Sequence, residues 1–369
     1  MPEARHTLEQ YSESRRREWN REGGFFGEVW RSGPGLAIYG SMIRNLWYAV
    51  LESRELKKGI LGVTRLGERL AFWRDSGGKA VCFFDRCVHR GASLAGGAHC
   101  GDAVACPFHG LEYDASGRCR KIPANGKNAP VPEQFRLRTY PVHEEYGIIW
   151  IWWGNEPPVN LGPPIFFDDL KEMKNWGTVV DPWNNHYTKV LENQLDVVHL
   201  PFVHHNTIGR GNRTLVEGPG FEWKGDTMFF HYPYNKVDDG SRPRTPVEVP
   251  VPDPTRDLKL ECILPNMWEN RISEKVRILG LFVPVDETHT LLYLRFYQEF
   301  MRLPVLKWLV NALGGRMNLI IAHQDRRVVE TQIPKGDGTG KGEILIQGDF
   351  PIMEFRKKRV ELRKAAERG

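Results

Sequence analysis

The stretch Cys87–Gly110 reads CVHRGASLAGGAHCGDAVACPFHG and contains two short segments that each combine one cysteine with one histidine. CVH occupies 87–89 and CPFH occupies 106–109, and glycine follows closely after each segment. Thiolates and imidazoles are common metal ligands, and two such segments could supply one matched pair to each of two metals. The pairs would be Cys87 with Cys106 and His89 with His109. A zinc site and buried cysteines beside unrelated histidines are the alternatives, and the glycines favour a two-metal centre.

The segments CVHRG and CPFHG resemble the Rieske [2Fe–2S] motif, in which two histidines replace two cysteines on one iron. The resemblance implies that Cys87, His89, Cys106 and His109 bind the cluster, with the histidines pointing outward. Respiratory-chain Rieske proteins have an extra cysteine in each segment, but this chain has Ala92 and Phe108 at those places. The loops therefore resemble those of bacterial oxygenases and their ferredoxins. We interpret the remaining cysteines as structural or incidental: Cys82, Cys100, Cys119 and Cys262.

A second candidate site lies about a hundred residues later, in ENQLDVVHLPFVHH at 192–205. Asp196 and His199 are three residues apart, which places them on one face of a predicted helix. His204 is too far round an ideal helix to share a metal with His199, but Pro201 disturbs the helix and lets both imidazoles converge. Two histidines and one carboxylate form the facial triad typical of mononuclear Fe(II) sites. A surface cluster of histidines is the alternative.

The spacing of Asn193, Asp196, His199 and His204 is similar to the iron-binding helix of Rieske non-haem iron oxygenases. In that family the third ligand is a distant aspartate followed five residues later by glutamate. Asp325 in HQDRRVVETQ has Glu330 at this offset, so the resemblance assigns it the ligand role, with Asp286 as the second choice. The resemblance further implies catalytic roles for Asp196 and Asn193. His186 and His205 are interpreted as ordinary or supporting residues.

Composition favours an ordinary cytoplasmic globular protein. The chain has 369 residues, 41% of them hydrophobic and 26% charged, with a formal net charge of +5. No stripe of basic residues indicates nucleic acid, and the mild positive charge suits an acidic partner protein. The first residues lack the apolar region of a secretory signal, and IIWIWW at 148–153 is too short to span a membrane.

The sequence pattern predicts three parts. Residues 1–43 form a charged and then glycine-rich N-terminal arm, in which SRRREWNRE is expected to be helical. Residues 44–155 alternate short apolar runs with Gly, Asp and Asn, which indicates short antiparallel strands. After the proline-rich GNEPPVNLGPP, residues 160–369 form a second domain with strand-like runs, a helix over about 303–330 and a charged C-terminal helix.

The family resemblance covers about 44–365 and implies an α+β fold, with an N-terminal all-β Rieske domain followed by a catalytic domain whose antiparallel sheet is flanked by helices. The sequence pattern is similar to that of terminal oxygenases such as aminopyrrolnitrin oxygenase and the vanillate O-demethylase oxygenase component. It implies a [2Fe–2S] cluster, mononuclear Fe(II), O2 as co-substrate, a homotrimer, and an external NAD(P)H-driven reductase, with or without a ferredoxin. In the trimer, Asp196 would connect His199 to His109 of the partner subunit.

The expected reaction is mono- or dioxygenation, demethylation or a related oxidation of a largely apolar, ring-containing molecule. Substrate contacts are expected from 205–300, and Phe202, Phe221 and Phe230 are candidate lining residues. Two other functions compete with this one. A Rieske electron-transfer protein with a non-catalytic partner-binding domain would lack the third iron, and a zinc-stabilised binding protein would lack iron altogether.

Overall fold

The computed structural model describes residues 42–154, 157–249, 259–337 and 342–368. Most of the expected N-terminal arm, including SRRREWNRE, lies outside the described residues. The N-terminal part consists of antiparallel strands, as predicted. They are β1 (Leu46–Glu52), β2 (Leu61–Arg65), β3 (Glu68–Arg74), β4 (Ala80–Phe84), β5 (Ala98–His99), β6 (Ala103–Ala105), β7 (Glu112–Asp114), β8 (Cys119–Lys121), β9 (Thr139–Tyr140), β10 (Val142–Glu145) and β11 (Ile148–Trp153).

These strands form three small sheets. Their orders are β1-β11-β10, β2-β3-β4-β9 and β5-β6-β7-β8. The first Cys/His segment lies between β4 and β5, and the second lies between β6 and β7. Both segments are therefore connections between strands, which can present side chains without disturbing the sheets.

The C-terminal part contains one seven-stranded antiparallel sheet with the order β12-β18-β17-β16-β15-β14-β13. Its strands are β12 (Trp176–Trp183), β13 (Leu215–Trp223), β14 (Met228–Lys236), β15 (Leu260–Ile263), β16 (Met267–Ser273), β17 (Val276–Pro284) and β18 (Thr290–Gln298). The helices are α1 (Tyr187–Leu195), α2 (Leu200–Val203), α3 (Pro304–Val329) and α4 (Phe350–Arg368). The predicted α+β fold is confirmed. No helix in the described ranges combines the length and apolarity needed to cross a membrane.

The two faces of the large sheet have different neighbours because side chains alternate along each strand. One face packs against the helices, in a cluster that includes Leu191 of α1, Ala322 of α3 and Phe355 of α4. The other face packs against the N-terminal part, where Ala49 and Trp150 join one cluster with sheet residues. We call these the helix-side face and the domain-side face.

Helix α3 lies very close to the helix-side face, and glycines permit this approach. A Cβ atom at Gly314 would lie 2.5 Å from the Phe296 ring, and one at Gly315 would lie 2.9 Å from Val179. Two adjacent glycines inside a helix are intrinsically unfavourable. Here they allow α3 to approach β12 and β18, and this approach sets the position of its C-terminal half.

A buried ion pair joins the two domains across the domain-side face. Arg295 of β18 donates from Nε to Glu52 of β1 at 2.6 Å, and both side chains are almost fully buried. Arg295 also donates to the Tyr146 carbonyl oxygen at 2.7 Å. Removing one member of such a pair leaves the other charge buried without its partner, which is strongly destabilising.

We predict that Arg295→Leu lowers the free energy of unfolding by about 2–3 kcal/mol, because the Glu52 carboxylate stays buried and keeps only the largely exposed Arg54 and the Thr178 hydroxyl as partners. Urea denaturation followed by far-UV circular dichroism measures the change. Arg242→Leu is the matched control, since Arg242 forms an ion pair with Glu248 on an exposed surface. Equal stability of the Arg295 variant and the control would show that the pair does not hold the domains together.

Candidate metal centres

The two Cys/His segments have the same backbone structure. In the first, the Cys87 amide donates to the Ala92 carbonyl and the Gly91 amide donates to the Cys87 carbonyl. In the second, the Cys106 amide donates to the carbonyl five residues later, and the Gly110 amide donates back to Cys106. Gly91 and Gly110 have φ of 76° and 71°, a conformation that glycine adopts without strain. The glycine four residues after each cysteine is therefore what closes each loop.

The four predicted cluster ligands are divided by exposure. Cys87 and Cys106 are buried, whereas His89 and His109 are exposed. The two imidazole rings lie 4.7 Å apart between centroids. Two thiols on the inner side and two imidazoles on the outer side suit a [2Fe–2S] cluster with one iron near the surface. The donor set therefore fits the group that the sequence motif indicates.

Two further residues support these loops and were not identified from the sequence. The Tyr113 hydroxyl lies 3.2 Å from Cys87 Sγ, and burial together with the nearby Cys87 raises its pKa, so it stays protonated and can donate. Asp85 accepts hydrogen bonds from the Ser93 hydroxyl at 2.6 Å and the Leu94 amide at 2.6 Å. The sequence does not reveal these roles, because each residue contacts a segment that folding brings beside it. The position of Tyr113 close to the second motif is the one signal that the sequence offers.

The second candidate site brings together the three predicted iron ligands. His199 Nε2 lies 3.3 Å from Asp325 Oδ1, and His204 Nε2 lies 2.9 Å from the same oxygen. The three potential ligand atoms all lie within 4.8 Å of one another. His204 and Asp325 are buried, and His199 is mostly buried. Asp286, the second choice, lies in an exposed turn where it contacts His289, away from this cluster.

The local structure corrects the prediction that Asp196 and His199 share one helix. Helix α1 ends at Leu195, and Asp196 has extended backbone angles, with φ of −78° and ψ of 118°. Its Oδ1 accepts from the amides of Val198 and His199, at 2.6 and 3.3 Å, so the side chain competes with the helix for backbone donors. Pro201 does not break a helix here. It occupies the first turn of α2, where its missing N–H costs nothing.

The outer nitrogen of each imidazole also has a neighbour. His204 Nδ1 lies 2.7 Å from Gln324 Oε1, and His199 Nδ1 lies 3.3 Å from Asp196 Oδ2. When a metal displaces the proton on Nε2, each histidine keeps its proton on Nδ1, and this is the form that binds a metal. Gln324 was not identified from the sequence, although it directly precedes Asp325.

Electrostatics at this site favours a cation. Burial lowers the pKa of His199, but Asp196 and Asp325 together outweigh this and raise it to about 9. Burial raises the pKa of Asp325, and the two imidazoles lower it below its usual value. Two imidazole nitrogens and one carboxylate are the donor set of a facial triad, so the residues fit a mononuclear Fe(II).

The other candidate residues have separate roles. Asn193 lies on α1 with its Nδ2 buried and without a hydrogen-bond partner among the described residues. His186 caps the start of α1. His205 is exposed and contacts the Phe202 carbonyl. Phe202 is 61% exposed. Phe221 packs on the helix-side face, whereas Phe230 belongs to the domain-side cluster and cannot line a site among the helices.

Comparisons with known proteins agree with this organisation. Residues 46–141 match the family model of the Rieske [2Fe-2S] domain, and 183–365 match that of the vanillate O-demethylase oxygenase C-terminal domain. Methylxanthine N1-demethylase NdmA of Pseudomonas putida is 26% identical over 89% of this chain and 91% of its own length. The toluene-4-sulfonate monooxygenase iron-sulfur subunit TsaM1 of Comamonas testosteroni is 33% identical, but the match covers 45% of this chain and about half (48%) of that protein.

Solved structures show the same fold. NdmA from Pseudomonas putida CBB5 superposes with a TM-score of 0.68 at 23% identity, covering 88% of this chain and 92% of that one. Dicamba monooxygenase bound to dicamba gives a TM-score of 0.65 at 21% identity, covering 89% and 99%. With the two family models matching consecutive parts of the sequence, this chain belongs to the Rieske oxygenases.

Proposed function

We propose that this chain is a terminal oxygenase component that uses O2 and external electrons to oxidise an organic molecule. The observation that carries the proposal is the convergence of His199, His204 and Asp325 in a chain that also has both Cys/His loops. An electron-transfer protein needs only the loops. The proposed division is a Rieske domain over 44–155 and a catalytic domain over 160–369.

When bound, the [2Fe–2S] cluster supplies single electrons, and the mononuclear Fe(II) supplies open coordination positions for oxygen chemistry. The residues of this chain position these groups. His199, His204 and Asp325 would hold the single iron through two Nε2 atoms and one carboxylate. Gln324 and Asp196 keep the two rings in the ligating orientation. Tyr113 donates toward the Cys87 sulfur inside the cluster loops.

Asp196 is proposed to connect the two centres between subunits of a homotrimer. Its side chain is 26% exposed: Oδ1 accepts from the local backbone amides, and Oδ2, which lies beside His199 Nδ1, has a second lone pair available at the surface. There it would accept a hydrogen bond from His109 of the partner subunit. A carboxylate that holds two imidazoles orients both rings at once. Asn193, one helical turn earlier on α1, would line the same site.

The exposed cluster loops suit an electron-donating partner. His89 and His109 are exposed, and Val88 and Phe108 beside them are 44% and 56% exposed. The carbazole 1,9a-dioxygenase structure, similar in fold, is a complex of an oxygenase with a ferredoxin. We propose an external NAD(P)H-driven reductase, with or without a ferredoxin, acting in the cytoplasm. The net charge of +5 favours an acidic donor.

The substrate is proposed to be a largely apolar, ring-containing molecule. NdmA is named for N1-demethylation of methylxanthines, and TsaM1 belongs to a toluene-4-sulfonate monooxygenase system. These relatives act on ring compounds of different charge. The helix-side face of this chain supplies mainly apolar side chains, in agreement with a largely apolar substrate.

We predict three irons per chain in anaerobically prepared protein and two in the double variant His199→Ala with His204→Ala, because the alanines remove two of three ligands to the single iron. Metal analysis by mass spectrometry, with the visible spectrum of the cluster, measures both. His205→Ala should keep three irons, since His205 is an exposed neighbour outside the cluster. Two irons before and after substitution would favour the electron-transfer alternative, and zinc in a colourless protein would favour a binding protein.

We predict that Asp196→Asn keeps the cluster spectrum and the iron content but lowers oxidation by about 100-fold. Asparagine can still accept from the Val198 amide, so the turn persists, but it lacks the negative charge and cannot accept from two imidazoles with one oxygen. Reoxidation of the prereduced cluster under oxygen, and product formation, are the measurements. Asp286→Asn makes the same chemical change in an exposed turn and should alter neither. Unchanged reoxidation in the Asp196 variant would remove this residue from the coupling.

We predict that Tyr113→Phe lowers the reduction potential of the cluster by about 20–60 mV, because the hydroxyl stabilises the more negative reduced state. A redox titration followed by circular dichroism measures the potential. Tyr140→Phe is the control, since its hydroxyl contacts Glu68 in the same domain. An unchanged potential in the Tyr113 variant would mean that the hydroxyl does not bond the ligating sulfur.

A further inference from the structure

The helix-side face of the large sheet has no lysine or arginine side chain. The seven strands contain four basic residues, and alternation along the strands places all of them on the domain-side face: Lys236, Arg271, Arg277 and Arg295. Arg295 and Arg277 there pair with Glu52 and Asp169. The sheet wall that faces α1, α3 and α4 is thus apolar except for a few uncharged or ion-paired groups.

One of those groups is His231 in the middle of β14. It is fully buried, and neither ring nitrogen has a hydrogen-bond partner among the described residues. It lies on the helix-side face, opposite Phe221 and Leu260 on the adjoining strands. Leaving a buried polar group without a partner costs about 1–3 kcal/mol. Such a group is expected to have a partner outside the polypeptide, either an ordered water or a bound molecule.

The imidazole of His231 is neutral in this environment. Burial alone lowers its pKa to about 3, and no carboxylate contributes to the shift. A neutral imidazole has one N–H donor and one unprotonated acceptor. It can therefore bond a carbonyl, a hydroxyl or a ring nitrogen, but it offers no positive charge to a carboxylate or a sulfonate.

Strand β14 connects His231 to the predicted iron ligands. Asn235 lies four residues further on the same face and donates from Nδ2 to the Val197 carbonyl at 2.8 Å. Val197 belongs to the turn between Asp196 and His199. Four residues of strand span about 13 Å. A molecule of one to four rings is of the right length to contact His231 at one end and to place its other end near the ligands.

Two amides on the helices add to this uncharged polar set. Asn318 lies two turns before Asp325 on α3, and its Nδ2 is buried without a partner in the described ranges, as is that of Asn193 on α1. The buried cations of the helices each pair with an acidic side chain: Lys189 with Glu343, Arg356 with Glu192, and Arg359 with Asp337. An anionic group held at His231, a strand segment away from the iron ligands, would lose its hydration and gain no countercharge from the side chains around it.

We propose that His231 is a substrate-binding residue, and that the substrate is an uncharged molecule with an apolar ring body and one hydrogen-bonding group that His231 holds. This inference rests on the proposed function and narrows its substrate class. It separates this chain from oxygenases of aromatic sulfonates and carboxylates. The position on a strand that is paired on both sides, with β13 and β15, gives His231 the rigidity that orientation of a substrate requires.

The test is isothermal titration calorimetry on the anaerobic protein with matched probes. The neutral probes are three ketones (acetophenone, 2-acetylnaphthalene and progesterone) and caffeine. The anionic probes of similar ring size are benzoate, 2-naphthoate and toluene-4-sulfonate. The hydrocarbons ethylbenzene and 2-ethylnaphthalene match the first two ketones in size but lack the carbonyl group. We expect a neutral probe to bind about tenfold more tightly than its hydrocarbon match, and the anions to bind more weakly still.

Variants assign the difference to His231. His231→Leu should fold well, because it removes a buried polar group without a partner, and should weaken binding of the neutral probe about tenfold while hydrocarbon binding stays unchanged. His231→Gln, which keeps a donor and an acceptor, should restore most of the affinity. His205→Leu is the exposed control. Tighter binding of an anion than of its neutral match, equal affinity in the leucine variant, or binding of no neutral probe would each overturn the proposal.

Failure of the proposed function would look different. It would appear as two irons per chain in the metal analysis, independently of the binding measured by calorimetry. Three irons with a negative result in the calorimetry would overturn only the role of His231 and the uncharged substrate. Two irons with neutral-probe binding that depends on His231 would instead indicate a binding protein that retains the site.

Discussion

The catalytic part of this molecule depends on one buried carboxylate, Asp325, held about 3 Å from two imidazoles that come from a different part of the chain. Burying a carboxylate is costly unless opposite charges or donors surround it. To satisfy Asp325, α3 must lie against the turn and short helix that carry His199 and His204. Gly314 and Gly315 make this arrangement possible, because larger residues would push α3 away from β12 and β18.

The contacts behind the ligands decide how they point. Gln324 and Asp196 occupy the Nδ1 sides of the two rings, so both Nε2 atoms face the carboxylate. Asp196 has a second task, since its Oδ1 ends α1 by accepting backbone amides. One side chain thereby terminates a helix and orients a proposed iron ligand. One residue also has two roles in each cluster loop, where a single glycine permits both the turn and the hydrogen bond back to the cysteine.

The large sheet separates two kinds of chemistry on its two faces. The domain-side face contains the basic residues of the strands, and there the buried pair of Glu52 with Arg295 joins the domains. The helix-side face is apolar, and its most unusual polar residue is His231. Strand alternation assigns each residue to one face, so one sheet can have ion pairs between the domains on one face and the proposed uncharged substrate site on the other.

The sequence by itself determined the parts that depend on local spacing. The Cys/His loops, the antiparallel strands, the long α3 and the candidates Asp196, His199 and His204 could all be predicted, because neighbours in sequence set their geometry. Other features needed the tertiary structure. Helical periodicity continues past Leu195, so only the bonds of the Asp196 side chain showed where α1 ends. Asp325 and Asp286 were both candidates until folding placed one beside the histidines and the other in an exposed turn. Gln324, Tyr113 and His231 have no local signature, since a residue that supports a ligand or lacks a partner is defined by what folding brings beside it.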